Sequence, residues 1–416
     1  MLKTVVIGYV WPEPKSSAAG QNMLSILKSC RQAGFELTFL TAATDSDHKA
    51  DLASLGVTCQ QVALNCSSFD HLIKKINPDI VIFDRYMTEE QFSWRVKESC
   101  PNAVRILNTE DLHSLRQARH DSVKRNGDAL AADLNTELSQ REIASILRSD
   151  LTLVISHHEL HLLTDHYRVP PKQLYYSPLP VQKHVSELPT FENRSHFIHI
   201  GNFRHAPNWD AVLQLKQHIW PAIKRQLPDA ELHIYGSYLP KKAMQLHNSK
   251  QGFLIKGWAD NACEVMSNAK ILISPIRFGA GIKGKLLDAM VCKTPSITTW
   301  VGAEGIIHSD EAHHTWPGKI CPAVLEKEGA VEEFVSAAVN LYSNYQSWLS
   351  ESEKSEFVLK RFVENVPKAT LTDIMLEIAN NIDVHRKPLF LQGLVWHQTL
   401  TATKYMSQWI EAKNKS

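Results

Sequence analysis

The sequence predicts an α/β protein built from two doubly wound, Rossmann-like halves. Three observations carry that expectation. Short apolar runs alternate with helical periodicity up to about residue 155, and the alternation resumes near Phe197. Between the two series lies Tyr176–Phe191, with Ser177-Pro-Leu-Pro180, a charged run and Pro189, which reads as an interdomain linker. The richest unit, Ile271–Thr299, runs strand, glycine-rich turn, helix, strand, which is a βαβ unit.

In the first half the candidate strands are Val5–Tyr9, Glu36–Thr41, Val57–Leu64, Ile80–Asp84, Val104–Leu107 and Leu151–Ile155. Helices fit between them; Gln21–Ala33, for example, sets Met23, Leu24, Leu27 and Cys30 on one face. Residues 111–148 form a long polar helical stretch. In the second half strands are expected at Phe197–Ile200, Glu231–Tyr235, Gly252–Ile255, Lys270–Ser274 and Pro295–Thr298, with helices over Val331–Leu349 and Ser355–Val363. Strands that alternate with helices pair in parallel and need cover on both faces. The expected boundaries are therefore residues 1–185 for the N-terminal domain, 186–368 for the C-terminal domain and 369–416 for a terminal helical segment.

From Pro388 the tail, as a helix, gathers Leu394, Trp396, Leu400, Tyr405 and Trp409 on a broad apolar surface with lysines at its end. A packing role is the reading preferred here, on the resemblance given below; an interfacial membrane helix is the alternative.

Composition limits the function. A chain of 416 residues, 44% hydrophobic, can bury two cores of ordinary size. Its 45 basic and 44 acidic residues leave a net charge of +1, so no global field favours nucleic acid and any basic site is local. Seven cysteines, an odd number with no C-x-x-C pair, read as buried thiols in a reducing compartment, not as disulfides or a zinc site. Residues 3–10 are too short for a signal-peptide core and no apolar run is long enough to span a bilayer. The expected location is cytoplasmic, with membrane contact only at the surface.

The chemistry concentrates at Arg277-Phe-Gly-Ala-Gly-Ile-Lys-Gly-Lys285. Glycines let backbone N–H groups approach a ligand, the lysines add positive charge, and the turn opens a helix whose N-terminus favours anions. Asp288 follows about one turn in. A nucleotide diphosphate fits these parts. Gly279, Gly281 and Gly284 also spell the dinucleotide pattern G-x-G-x-x-G, with Glu304 near the spacing of a ribose acid. Against a nicotinamide site, Pro275–Phe278 separate the strand from the first glycine, two lysines sit inside the turn, and the unit comes late in the chain.

The segment R-F-G-A-G-I-K-G-K-L-L-D-A-M, with Gly302-Ala-Glu-Gly-Ile306, resembles the group 1 (family 4-like) retaining glycosyltransferases of GT-B fold, in a basic branch reading R-x-G-x-G-x-K-x-K. Other fragments resemble the family in the same order. They are Thr109-Glu-Asp-Leu-His113, His199-Ile-Gly-Asn-Phe203 with Pro207-Asn-Trp-Asp210, Leu232-His-Ile-Tyr-Gly236 and Lys256-Gly-Trp-Ala-Asp260. The resemblance covers about 109–306 and says little about the sugar. It implies two Rossmann-like domains facing a cleft, with the C-terminal helices packed on the N-terminal domain. It further implies sugar transfer from a nucleotide diphosphate-sugar to a saccharide, lipid-linked or protein acceptor, with no nucleic acid partner and no bound metal or other cofactor.

Carried over residue by residue, the resemblance assigns catalysis to His113 at the donor sugar and to Arg277 and Lys283 at the diphosphate. Donor binding falls to Gly20, Arg204, Gly279, Gly281, Gly284, Asp288 at the ribose, and Glu304, which serves either loop geometry or sugar contact. Departures are present. The family's E-x7-E pair falls here on Ala280 and Asp288. Where many members have an arginine and a lysine after the first strand of this domain, the chain has Asn202 and Asn208. The neutralising role then passes to Arg277, Lys283 and Arg204. Of the first loop, only Gly20 matches; Lys15, Ser16 and Ser17 are donors or plain surface. Glu110 and Asp111 read as helix caps, residues 85–95 as acceptor-side or structural, and His308, Glu311, His313 and His314 as surface groups without metal-site spacing. A nucleotide-sugar epimerase of the same fold and an inactive nucleotide-sugar-binding scaffold are the rival functions.

Overall fold

The computed structural model describes residues 1–181, 187–307, 315–325 and 327–415. His308, Glu311, His313 and His314 lie outside the described residues.

Seven strands make the first sheet: β1 (Lys3–Gly8), β2 (Glu36–Thr41), β3 (Thr58–Gln61), β4 (Ile80–Asp84), β5 (Val104–Asn108), β6 (Leu151–Val154) and β7 (Leu174–Tyr176). All pair in parallel, in the order β3-β2-β1-β4-β5-β6-β7. The second sheet holds β8 (Ser195–Ile200), β9 (Leu232–Tyr235), β10 (Phe253–Gly257), β11 (Ala269–Ser274), β12 (Ser296–Thr299) and β13 (Gly318–Cys321). Its order is β10-β9-β8-β11-β12-β13, again parallel. Consecutive residues Val5, Val6 and Ile7 are all inaccessible, as a parallel strand covered on both faces requires. In each sheet the chain reverses winding direction between two adjacent strands, β1 and β4 in one, β8 and β11 in the other. Open α/β sheets place their ligand crevice at that switch, beyond the carboxyl ends of the strands.

The terminal helices cover the first sheet. Met375 and Ile378, on helix Leu371–Asn380, enter the core formed by Val6, Ile82 and Ile106. Helix Phe390–Lys415 continues across the same domain, where the Trp396 indole donates to the Arg148 carbonyl at 2.9 Å. The expected single apolar surface on this helix is divided instead. Trp396 is buried, whereas Leu394, Tyr405 and Trp409 face solvent, because 100° per residue sets position 396 on the opposite side from 394, 405 and 409. The side chain of Leu400 lies outside the described residues. Among the described residues no helix is long and apolar enough to cross a membrane.

Several elements differ from expectation for local reasons. The polar stretch 111–148 is two helices, His113–Asn126 and Glu137–Arg148. Gly127 in the left-handed region closes the first, and a Thr136 capping box opens the second. Helix Ala330–Ser343 stops before Asn344, whose side chain caps a new helix, Tyr345–Glu364. Edge strands β7 and β13 are too short to show a periodic pattern, and β3 is shorter than the run 57–64. The cysteines are all free, but Cys59 is exposed and Cys66 and Cys263 are half-buried, so burial does not hold for all seven.

Candidate active site

A cleft cavity of about 250 Å³ opens between the carboxyl ends of the two sheets. The N-terminal domain contributes the loop after β1 and Glu110 and Asp111 after β5. The C-terminal domain contributes Gly201 and Asn202 after β8, Trp258 and Ala259 after β10, and residues 279–285 with Asp288 after β11.

The glycine loop runs into helix Gly284–Val291. Gly281 has φ 62°, and a Cβ there would lie 2.8 Å from the Asp111 Cβ across the cleft. Gly284 faces the opposite domain as closely, since its Cβ would come 2.9 Å from the Ala18 Cβ. Glycine is thus required where the two domains meet. Gly20 lies just outside the cavity, on helix Ala18–Gln32, pressed against the backbone of Glu13.

Two buried side chains of the N-terminal domain hold this loop. The Glu159 Oε1 accepts from Gly281 N at 2.7 Å and from Leu112 N at 3.1 Å. Burial, and after it the charge of Asp111, push this carboxyl up to about 8, and its Oε2 has no hydrogen-bond partner among the described residues. The Arg119 guanidinium donates to both oxygens of Glu304, at 2.6 and 2.8 Å, and to the Gly279 carbonyl at 2.9 Å. Burial opposes ionisation of Glu304, but hydrogen bonding and charge from Arg119 hold its carboxyl below the usual range. Glu304 is 3% exposed and does not line the cavity. It anchors the loop from behind.

The cations divide by what surrounds them. Arg277 turns out of the cavity and pairs bidentately with Asp210, at 2.9 and 2.7 Å. Arg204 is exposed, its guanidinium 3.5 Å from the centre of the Tyr238 ring. Lys283 lines the cavity and donates to the Gly281 carbonyl at 3.0 Å. Burial lowers its pKa, while Glu304 and Glu159 nearby oppose that shift. Lys285 also lines the cavity, and the Asn208 Oδ1 at 2.8 Å is its hydrogen-bond acceptor. Among the described residues no carboxylate pairs with it, and burial alone lowers its pKa to about 7. Lys285 is therefore a cation of the glycine-loop wall without a counter-charge among the described residues. It belongs to the glycine motif, yet nothing local in the sequence separates it from Lys283. Asp288 lines the cavity a turn further on, its carboxyl pushed up to about 6 by burial.

His113 stands behind the cavity wall. Its imidazole meets the Tyr86 ring edge-on with centroids 5.7 Å apart, and Nε2 lies 3.4 Å from the Asp111 carboxylate. Burial lowers its pKa to about 4 despite Asp111, which leaves the ring neutral. Asp111 itself lines the cavity. Burial opposes its ionisation, but the Arg116 charge, 3.0 Å away, holds it below the usual carboxylate range.

The expectation that Glu110 and Asp111 cap the following helix does not hold. Its first N–H groups, on His113 and Ser114, donate to Glu142 at 3.0 and 2.8 Å, and Leu112 N–H goes to Glu159. The distant carboxylates reach the helix start because Glu110, at φ 61°, turns the chain away before it begins. Across the outer mouth, His48 stacks on Trp258 at 4.3 Å, and Tyr238 donates to Glu13 at 2.5 Å. Among the described residues no group of three His, Cys, Asp or Glu side chains is arranged to hold a metal ion.

With this geometry in place, residues 194–344 match the family model for glycosyl transferases group 1. Comparison with curated proteins gives no match. Among solved structures, a TarM variant from S. aureus, in complex with fondaparinux, α-GlcNAc-glycerol and UDP, is 10% identical with a TM-score of 0.65. It aligns over 91% of this chain and 100% of its own. Anabaena HepE with UDP and glucose is 11% identical, TM-score 0.60, over 92% and 100%. Sucrose-phosphate synthase from Thermosynechococcus elongatus is 12% identical, TM-score 0.62, over 92% and 99%. The chain has the GT-B fold. The matched family segment spans the whole second sheet except the final contacts of its helices, and holds Lys283, Lys285, Asp288 and Glu304.

Proposed function

We propose that the protein transfers a sugar from a nucleoside diphosphate-sugar to an acceptor hydroxyl in this cleft. The observation that carries the reading is Lys285, a half-buried cation with no carboxylate partner among the described residues, beside the glycine loop and the start of helix Gly284–Val291. Desolvating an ammonium without a counter-charge is costly, and a diphosphate would supply the missing charge. The first N–H groups of a helix lack intrahelical partners and add to that site. Gly281 N–H is already taken by Glu159, so in this reading the anion rests on the lysines and the helix start.

Uridine is the base to test first, because the HepE and TarM structures contain UDP. Asp288 would receive the ribose hydroxyls. Lys283 and Lys285 would stabilise the charge that develops as the nucleotide leaves. Retention of the anomeric configuration, by front-face attack without a covalent intermediate, rests on the motif resemblance. The acceptor is a saccharide, lipid-linked or protein hydroxyl, and no metal is assigned a role.

The experiment is a thermal-shift panel of nucleoside diphosphates and their sugars on wild type and Lys285→Met, followed by product analysis with and without saccharide acceptors. A ligand that binds only the folded state raises Tm. A Tm rise with one nucleotide, lost in the variant, and transfer of its sugar with unchanged anomeric configuration are expected. A shift from a nicotinamide dinucleotide alone would overturn the reading, as would an epimerised donor formed without acceptor. A nucleotide shift with no sugar transferred to any acceptor or to water would leave the inactive scaffold, and no shift from any nucleotide would overturn the donor site itself.

A further inference from the structure

Beyond the donor site, the cleft wall carries a carboxyl that, among the described residues, caps no helix and enters no ion pair. Glu110 follows β5, is 5% exposed and lines the cavity. Its backbone is left-handed, as is that of Arg85 after the adjacent strand β4. Non-glycine residues keep that conformation only where the surroundings enforce it, and they concentrate at functional sites. Here the Arg85 N–H donates to the Asn108 carbonyl at 2.7 Å. The Asn108 side-chain amide donates to Glu110 Oε1 at 2.8 Å, and that of Asn22 lies 3.3 Å from both oxygens. Two amides thus fix the carboxyl at the cavity edge. The helix that follows takes its caps from Glu142 and Glu159, so Glu110 is not needed there.

We propose that Glu110 is the base that receives the proton of the acceptor hydroxyl. This rests on the sugar-transfer reading above. In the step, the acceptor O–H bond breaks and its proton passes to the Glu110 carboxylate. The freed oxygen pair forms the new bond to the anomeric carbon, and the bond from that carbon to the diphosphate oxygen breaks. Its electron pair leaves with the nucleoside diphosphate, where Lys285 and Lys283 receive the charge. The proton later returns to water.

The charged neighbours suit this use. Asp84, Arg85 and Asp111 surround Glu110, with Tyr9 N–H on Asp84 Oδ2 at 3.2 Å. Burial first and the Asp84 charge second raise its pKa far above the ordinary range, while Arg85 and the amides keep the ionised form within reach. A base that titrates close to the working pH transfers protons most effectively.

Glu110→Gln keeps the shape and an acceptor oxygen for the amides but cannot ionise. With wild type shown to bind UDP and transfer sugar, Glu110→Gln is expected to keep Tm and to bind UDP within threefold. Its kcat should fall by about 10²–10⁴-fold, the usual span for a lost general base. Wild-type kcat should also rise with pH along a limb well above the ordinary glutamate range, and the variant should lack that limb. Transfer by Glu110→Gln within tenfold of wild type, or a surviving limb, would overturn the assignment. If the variant does not fold, Glu110→Asp decides: a displaced limb sustains the assignment and an unmoved one overturns it. A wild type that binds UDP and transfers nothing to any acceptor refutes the transfer reading itself, and this step with it.

Discussion

Lys285 offers a prediction whose size follows from its surroundings. Its pKa, lowered to about 7 by burial, means that the free cleft holds a partly neutral amine near neutral pH. Only the ammonium attracts a diphosphate, so binding must raise this pKa toward its ordinary value and take up a proton. The sign is fixed: affinity falls as pH rises through 7 and beyond, because ever less of the free protein carries the charge. With a free pKa of about 7, roughly one quarter of the molecules are protonated at pH 7.5 and about one in a hundred at pH 9. The ratio is roughly 25-fold, about 1.9 kcal/mol at about 1.36 kcal/mol per pKa unit. The phosphate itself is fully ionised across this range, its last pKa being about 6. Isothermal titration of UDP at pH 7.5, 8.2 and 9.0, in buffers of different ionisation enthalpy, reads both the affinity and the proton uptake. Lys285→Met should bind weakly at all three values, without the slope, and Lys285→Arg should bind without the slope because a guanidinium stays charged. A flat wild-type Kd from pH 7.5 to 9.0 would refute the reasoning, as would an unchanged slope in Lys285→Met.

Three further perturbations test other parts of the site. Asp288→Asn removes a charged acceptor whose hydrogen bonds are worth about 1.5–3 kcal/mol; UDP should bind about 10–150-fold more weakly by calorimetry, while inorganic diphosphate, which lacks a ribose, binds as before. Arg119→Met leaves Glu304 buried without its main partner, a loss of about 3–5 kcal/mol; Tm by scanning fluorimetry should fall clearly, and Arg119→Met combined with Glu304→Leu should recover more than half of the fall. Arg148→Met does the same to Glu89, which is buried within the N-terminal domain far from the glycine loop; it should lower Tm comparably and leave the Kd for UDP, measured below the transition, within twofold of wild type.

How much of this was legible in the sequence depends on whether the deciding partner is near in the chain. The two sheets were legible because strands such as β1 and β4 are buried on both faces and read as unbroken apolar runs. Edge strands β7 and β13 lack that signal, because three or four residues are too few to read as a run. The glycine loop was legible for the same reason: Gly281, Lys283 and Asp288 lie within one βαβ unit whose local geometry sets their places. The partners of that loop were not. Glu159 and Arg119 reach it from 122 and 160 residues away, and Glu142 caps a helix that Glu110 precedes directly.

The same limit explains why the candidate cations sorted as they did. A sequence shows which side chains can be charged, but a binding site consists of the charge left over after internal pairing. Arg277 and Asp210 cancel each other across 67 residues, and Lys283 shares its space with Glu304 and Glu159. Lys285, two positions further on, meets only an amide oxygen among the described residues. The carboxylates sort in parallel. Glu304 is committed to Arg119, Asp111 to Arg116 and His113, and Glu159 to two backbone N–H groups. Glu110 accepts from two side-chain amides near Arg85, enters no ion pair among the described residues, and remains at the cavity edge. One uncommitted cation on the domain that carries the glycine loop and one uncommitted carboxyl on the opposite wall are what a transfer reaction needs: a place for the departing negative charge and a place for the incoming proton.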